Sequence, residues 1–394
     1  MTANKWFFSF LKKYRWMMGA ALCLTTVISA LAIVNPNISG QIVDDVIIGG
    51  KYALLPRLIA ALLVITGIRG VLRFFYQVIF ETCSQGVLYE MRDKVYRKLL
   101  QEDFAFYNKK RTGDLMSRQT GDMDAIRHFV AYVIYSLYEN ALLFLFALFM
   151  IFRVNVKLAL CMLAVLPFTG LTTYLQSRAV RPAFQRNRNC FSSLNAFVQE
   201  NISGNRVVRA FAKEDFEISK FNRENDAFRA SQLDASKIWK KYLPVFEILS
   251  HMLMIILMLY GGYMVIQDEI TMGNLVTVNG YLWMLTVPLR MAGWWVNDIQ
   301  RFTTSVEKIY ATYIEEPGVK PPCEGIERKH FEGRVEFRNV SYRADDEEIV
   351  HDIDFTAAPG QSIGIIGSTG AGKSTIMNLL CRFYDTTAGE VLVD

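Results

Sequence analysis

The chain has 394 residues, of which 52% are hydrophobic and only 21% charged. That is too long for one ordinary domain and too apolar for a soluble protein, whose charged share is usually about a quarter. A net charge of +5 is too small to support a nucleic-acid partner, and none is expected.

The first fifteen residues set Trp6, Phe7, Phe10 and Leu11 against Lys5, Lys12 and Lys13. This pattern predicts a short helix over 1–15 lying on the inner membrane surface, or a ragged start to the apolar run that follows. That run, 16–34, is longer than the core of a signal peptide. The stretch after it, Asn35-Pro-Asn-Ile-Ser-Gly40, is not a small-residue cleavage site. It is read as an uncleaved first membrane span.

A helix needs about 20 apolar residues to cross a bilayer. Six runs qualify: 16–34, 54–80, 129–152, 156–175, 243–266 and 275–296. The last is the least apolar, with Asn279, Gly280, Pro288 and Arg290. Together they predict an all-α transmembrane domain over 16–314. The segment between the second and third runs holds Arg92, Lys94, Arg97, Lys98, Lys109, Lys110, Arg111, Arg118 and Arg127. The segment between the fourth and fifth is similarly basic, whereas the alternate loops are short and poor in Lys and Arg. This asymmetry predicts a multi-pass protein of the cell membrane, with the N-terminus and both long loops in the cytoplasm. A cysteine placed at Thr271 is then expected to react from outside, and one at Thr112 only from inside.

The long loops carry apolar residues at helical spacing: Val87, Met91, Val95 and Leu99 in one, Phe211, Ile218 and Phe221 in the other. The spans are therefore expected to continue as helices into the cytoplasm, with reversals near Gly113 and Gly204. The six cysteines (Cys23, Cys83, Cys161, Cys190, Cys323 and Cys381) and four histidines show no zinc spacing. Buried or reduced thiols and no structural metal are expected.

Glu315-Glu-Pro-Gly-Val-Lys-Pro-Pro322 marks a linker, taken as 315–332. From residue 333 the pattern becomes one of strands: 333–342 alternates, Asp345-Asp-Glu-Glu348 marks a turn, and 349–356 reads as a second strand. Ser362 to Ile366 reads as a buried strand, Ser374 to Tyr384 as a helix, and 390–394 as the start of another strand. Between them lies Gly367-Ser-Thr-Gly-Ala-Gly-Lys-Ser-Thr375, which fits G-x-x-x-x-G-K-[ST]. Glycines let backbone N–H groups converge on phosphate oxygens without obstruction by a Cβ. Gly367, Ser368, Thr369, Gly370, Ala371, Gly372, Lys373, Ser374 and Thr375 are the candidate ATP-binding residues. Lys373 is expected to reach the β- and γ-phosphates, and the Ser374 hydroxyl to help hold Mg²⁺. Residues 333–394 then form the N-terminal part of an α/β P-loop domain. Such a domain needs well over a hundred residues, so it is expected to continue past residue 394.

Six spans, two long basic loops and a P-loop domain resemble a half-transporter of the type I ABC exporter family, over essentially the whole chain. Arg111-Thr-Gly-Asp-Leu-Met-Ser-Arg118 looks like that family's first coupling segment. Glu200 to Glu214 looks like the second, and Pro288-Leu289 and Arg382-Phe-Tyr-Asp385 also match. The resemblance implies coupling roles for Thr112, Gly113, Asp114, Leu115, Arg209, Ala210, Phe211 and Glu214, seated on nucleotide domains. It further implies a second half-transporter as partner, two sandwiched ATP molecules, and alternating access for a substrate that is an amphipathic drug, a lipid or a peptide. The family's remaining motifs, including the general base, would lie beyond residue 394. Where the family has an adenine-stacking aromatic this sequence has Ala344; Tyr342 is the nearest aromatic, although it aligns with a core position. The missing aromatic favours pairing with a different half-transporter, with a homodimer still open. An ATP-binding regulatory or channel-like subunit that does not pump is the alternative reading of the same features.

Overall fold

The computed structural model describes residues 2–320, 330–344 and 347–394. The linker residues 321–329, Cys323 among them, and the turn residues Asp345 and Asp346 lie outside the described residues. The chain divides into two compact units, 14–83 with 129–300, and 1–13 with 84–128 and 301–394.

The helical part runs in chain order as α1 (Ala3–Ile48), α2 (Tyr52–Leu99), the short α3 (Phe104–Lys109), α4 (Thr112–Val154), α5 (Val156–Ala210), α6 (Glu214–Ile266) and α7 (Met272–Ile314). Among the described residues, α1, α2, α4, α5 and α6 are long and apolar enough to cross a membrane. The sixth expected run lies within α7, which is equally continuous. Asn274, Asn279 and Pro288 dilute its apolar character, as the composition of that run implies.

Local chemistry explains the breaks. Asn155 is the single residue between α4 and α5. Its side chain accepts from the backbone N–H groups of Lys157 (2.8 Å) and Leu158 (3.2 Å), capping the new helix. The reversal between α5 and α6 falls at residues 211–213, where Ala212 takes a left-handed conformation with φ 47°. This corrects the expectation at Gly204, which lies inside α5, whereas Gly113 is the second residue of α4, next to the break at 110–111 as expected. A solvated glycine within a long helix costs only about 1 kcal/mol, too little to end it.

In the unit formed by 14–83 and 129–300, the core runs through Leu143 and Ile151 of α4, Leu158 of α5, Leu257 of α6, and Val278 and Tyr281 of α7. Helices α1 and α7 approach with almost no side chain between them. A Cβ at Gly273 would overlap the Gly40 carbonyl oxygen and the Asp44 carboxylate, and one at Gly280 would meet Pro36 Cβ at 2.7 Å. Close approach of this kind brings polar groups within reach across an apolar interface. Asp44 accepts from the Gly273 N–H (2.7 Å) and the Thr271 hydroxyl, Thr277 donates to the Pro36 carbonyl (3.2 Å), and Tyr281 donates to Asn37 Oδ1 (2.9 Å).

In the other unit, Val87, Met91, Val95 and Leu99 are buried, as their spacing predicts. The N-terminal amphipathic stretch is helical, and its aromatic face packs on protein. Phe7 lies 4.8 Å from Phe302, Trp6 lies 5.1 Å from Tyr313, and Lys94 sits over the Phe10 ring at 4.5 Å.

Three strands follow: β1 (Val335–Ala344), β2 (Glu347–Ala357) and β3 (Ala388–Val393), with α8 (Lys373–Leu380) between the last two. The sheet order is β2-β1-β3, antiparallel throughout, with Val335 paired to both Ala357 and Val393. Phe337, Val340 and Val350 meet Ile376 and Leu379 of α8 in a small core. The expected strand at Ser362–Ile366 does not form. That segment carries no regular secondary structure, and Ile366 is 97% exposed. A strand exists through its ladder, and this segment pairs with none of the three strands of the β2-β1-β3 sheet. The helix after the loop also ends earlier than expected, at Leu380, because Arg382 takes φ 53°.

Candidate phosphate-binding site

The loop 367–372 is exposed except at its last glycine, and it feeds directly into the first turn of α8. Gly370 and Gly372 have φ of 86° and 80°, the left-handed region that side chains disfavour. Gly372 is also sterically confined. A Cβ there would stand 2.9 Å from the Ile349 carbonyl oxygen and 3.0 Å from Val350 Cγ2. The β2 strand thus fixes the point where the loop becomes helix. The Lys373 ammonium lies across the loop, donating to the carbonyls of Gly367 (2.9 Å) and Ser368 (2.6 Å). Ser374 is exposed at the start of α8, while Thr375 is half-buried. A loop closed by glycines at a helix start, with a lysine spanning it, fits the phosphates of a nucleotide.

Tyr342 lies on β1 opposite Val350, partly buried against the small core, with its ring 5.2 Å from Tyr384. Ala344 ends β1, opposite Glu347. The tyrosine is therefore engaged in packing at the position where sequence alone left both a core and a stacking role open.

The two candidate coupling segments differ. Thr112, Gly113 and Asp114 are exposed at the start of α4, but Leu115 is buried. Just beyond it Arg118 donates to the Thr312 hydroxyl, and Asp122 accepts from Ser305 at 2.9 Å. Arg209, Ala210, Phe211 and Glu214 are all exposed at the α5–α6 reversal. Phe211 is 73% exposed, and Ile218 and Phe221, which lie in α6 as their helical spacing predicts, are exposed as well. Val207, Phe211 and Phe216 line a shallow apolar hollow at the tip.

One cluster was not anticipated. The Asp103 carboxylate caps α3 through the Phe106 N–H (2.8 Å) and accepts the N–H groups of Gly318 (2.6 Å) and Val319 (3.2 Å) at the start of the linker. Phe104 stacks on Phe383 at 4.3 Å, Asn108 donates to the Tyr384 hydroxyl at 2.8 Å, and Lys110 pairs with Glu315. The short helix α3 is thereby tied both to the linker and to the segment just after α8. The Asp103-x-x-Phe106 cap pattern was a local signal for the helix; its partners more than 200 residues away left none. Burial pushes the Asp103 carboxyl upward, but the surrounding N–H groups outweigh it and hold the group below its ordinary value. A lowered pKa means that the contribution to stability is complete above about pH 4 and fades as pH falls through the lowered value. In Asp103→Ala the loss of the cap costs about 1 kcal/mol. Amide exchange at Gly318 and Val319 should then rise about fivefold at neutral pH. Unchanged exchange there would show that the carboxylate does not anchor the linker.

A bundle of long apolar helices leading into a phosphate-binding loop defines a membrane protein with a nucleotide-site domain. The chain belongs to the ABC transporter family. The family model for the ABC transporter transmembrane region matches residues 18–289, and the model for ABC transporter matches residues 350–394. Relatives include an uncharacterized ABC transporter ATP-binding protein, YknU, of Bacillus subtilis, 32% identical over 99% of this chain and 66% of its own length. An ATP-dependent lipid A-core flippase of Syntrophus aciditrophicus is 28% identical over 89% of this chain and 58% of its own. The multidrug resistance-like ATP-binding protein MdlA of Escherichia coli is 27% identical over 98% and 65%. The chain thus spans about two thirds or less of the length of these relatives.

Proposed function

We propose that the protein exports an amphipathic substrate across the cell membrane by ATP-driven alternating access, as one half of a dimeric transporter. The observation that supports this most is the P-loop geometry, with Gly370 and Gly372 left-handed and Lys373 spanning the loop, joined in one chain to apolar membrane helices. The names of two relatives, a lipid A-core flippase and a multidrug resistance-like protein, point to amphipathic cargo.

ATP with Mg²⁺, when bound, supplies the free energy of the cycle. Lys373 and the loop N–H groups hold the phosphates, Ser374 orients the metal, and the glycines keep the backbone close. Transport requires that the closed arrangement hold nucleotide more tightly than the open one. The exposed tip at Arg209–Glu214 and the start of α4 at Thr112–Leu115 receive that closure from nucleotide domains. None of the apolar window of α2 is buried within the chain, which leaves it for lipid or a second half-transporter. Ala344 at the end of β1 favours a different half as that partner. The Lys/Arg asymmetry places the N-terminus and the nucleotide domain in the cytoplasm.

Inside-out vesicles carrying the full-length protein and its partner test the reading. ATP should drive uptake of a fluorescent amphipath, and a non-hydrolysable analogue should not. Phe211→Ala should cut uptake severalfold while leaving nucleotide binding within about twofold, because it removes an anchor and not a ligand. ATP-independent equilibration of the amphipath would point to a channel; full uptake by Phe211→Ala would make the tip a solvated turn.

A further inference from the structure

Helix α2 carries Arg69 and Arg73 one turn apart on the same face, with Tyr76 close behind. At 1.5 Å per residue the arginines lie about 21 and 27 Å along the helix from Leu55. The hydrocarbon core of a bilayer is about 30 Å thick, so both sit in the half of the span remote from the 49–51 turn. Ionisable groups at such depth are costly unless they face a partner or a ligand.

The partners here do not balance. Glu139 of α4 is the acidic group that acts on both arginines, but its hydrogen bond comes from the Tyr76 hydroxyl, at 3.4 Å. Arg73 is bonded to Tyr76, and Tyr135, with Tyr132 packed on it, adjoins the cluster. The Arg69 Nε is buried with no hydrogen-bond partner. Two guanidinium groups thus face one carboxylate, and a buried donor is left unmet. A simple brace between α2 and α4 needs one arginine on the glutamate. The second arginine and the unmet Nε–H exceed what a brace requires.

We propose that Arg69 and Arg73 bind the anionic headgroup of an amphipathic substrate, with Glu139 as the resident counter-charge that the ligand displaces. This deepens the transport reading above and rests on it. Guanidinium forks match the oxygens of a phosphate or sulfate in pairs, and the cluster carries the one excess positive charge that a singly charged headgroup neutralises. The same helix exposes Ile68, Val71, Phe74 and Phe75, an apolar track for a hydrocarbon tail beside the headgroup.

The test uses the full-length protein in nanodiscs of neutral phosphatidylcholine, with fluorescent lysophosphatidic acid as probe. A monoacylglycerol with the same tail and inorganic phosphate are the controls, and ATP binding is measured on the same samples. The phosphorylated probe should bind at least about tenfold more tightly than the monoacylglycerol. Arg69→Gln with Arg73→Gln should remove that difference. Glu139→Gln should tighten binding about threefold or more, because it removes the competing charge. Equal affinity for the two tails, or weakening by Glu139→Gln to match the arginine variants, would overturn the proposal and leave a structural brace. Displacement of the probe by millimolar inorganic phosphate would overturn the amphipathic ligand in favour of a free anion. Should the arginine variants fail to fold, Glu139→Gln alone decides, by the sign of its effect. Loss of ATP binding in the unmodified protein would count against the transport reading, whatever the lipid result.

Discussion

Lys373→Ala should weaken ATP binding about a hundredfold in the full-length protein and abolish ATP-driven transport. The ammonium is the one cation in the loop and spans it from Gly367 to Ser368, which on the proposed reading is where phosphate oxygens would converge. Removing one member of a close charge pair costs about 2–5 kcal/mol, and each 1.4 kcal/mol is a factor of about ten. The fold should survive, since the lysine side chain contacts only carbonyls of its own loop. Gly372→Ala should fail differently. It forces a side chain into a left-handed backbone against Ile349 and Val350, so it should disturb the β2–α8 junction as well as the ligand. Titration with a fluorescent ATP analogue, beside a thermal melt, separates the two. An affinity within about threefold of wild type for Lys373→Ala would remove the lysine from the site.

The second large effect is expected at Gly273. Leucine there cannot be placed while α1 and α7 keep their distance, since even a Cβ overlaps Gly40 and Asp44. Pushing the helices apart also breaks the hydrogen bonds of Asp44 with Gly273 and Thr271 and loosens Tyr281 from Asn37. Overpacking costs about 1–3 kcal/mol and each lost interhelical hydrogen bond about 0.6, so a total near 3 kcal/mol is expected. Gly262→Leu is the control, because nothing lies within 4 Å of a Cβ at that position. Thermal unfolding in detergent should show a clear drop for Gly273→Leu and little change for Gly262→Leu. Similar melting of the two variants would mean that the α1–α7 contact contributes little.

Much of this was legible in the sequence, for reasons of range. An apolar run of bilayer length declares itself without knowledge of its neighbours, so α1, α2, α4, α5 and α6 were readable. Val87, Met91, Val95 and Leu99 repeat at helical spacing and are buried accordingly. The P-loop is readable because its backbone demands glycine at fixed intervals. The failures share the opposite property. Ser362–Ile366 has a strand's composition, but a strand depends on partners that its own residues do not encode. Phe211, Ile218 and Phe221 marked helical continuation, which Ile218 and Phe221 in α6 bear out, but spacing alone did not say that all three are exposed. Asp44 has its Gly273 and Thr271 partners more than 200 residues away, and Asp103, readable locally only as a helix cap, has its linker partners equally far off. The α5–α6 reversal was sought at a glycine and was made at Ala212, where a small side chain tolerates the left-handed turn.

Asn155 bears on how the protein reaches the membrane. With one residue between them, α4 and α5 leave no room for a segment to wait in water while its neighbour enters lipid. The two must be inserted as a single hairpin. The turn exposes the last carbonyls of α4 as well as the first N–H groups of α5, and the asparagine side chain accepts from two of those N–H groups. That cap lowers the polar backbone surface that the turn carries through the hydrocarbon, while the Arg153 and Lys157 side chains beside it still have to cross.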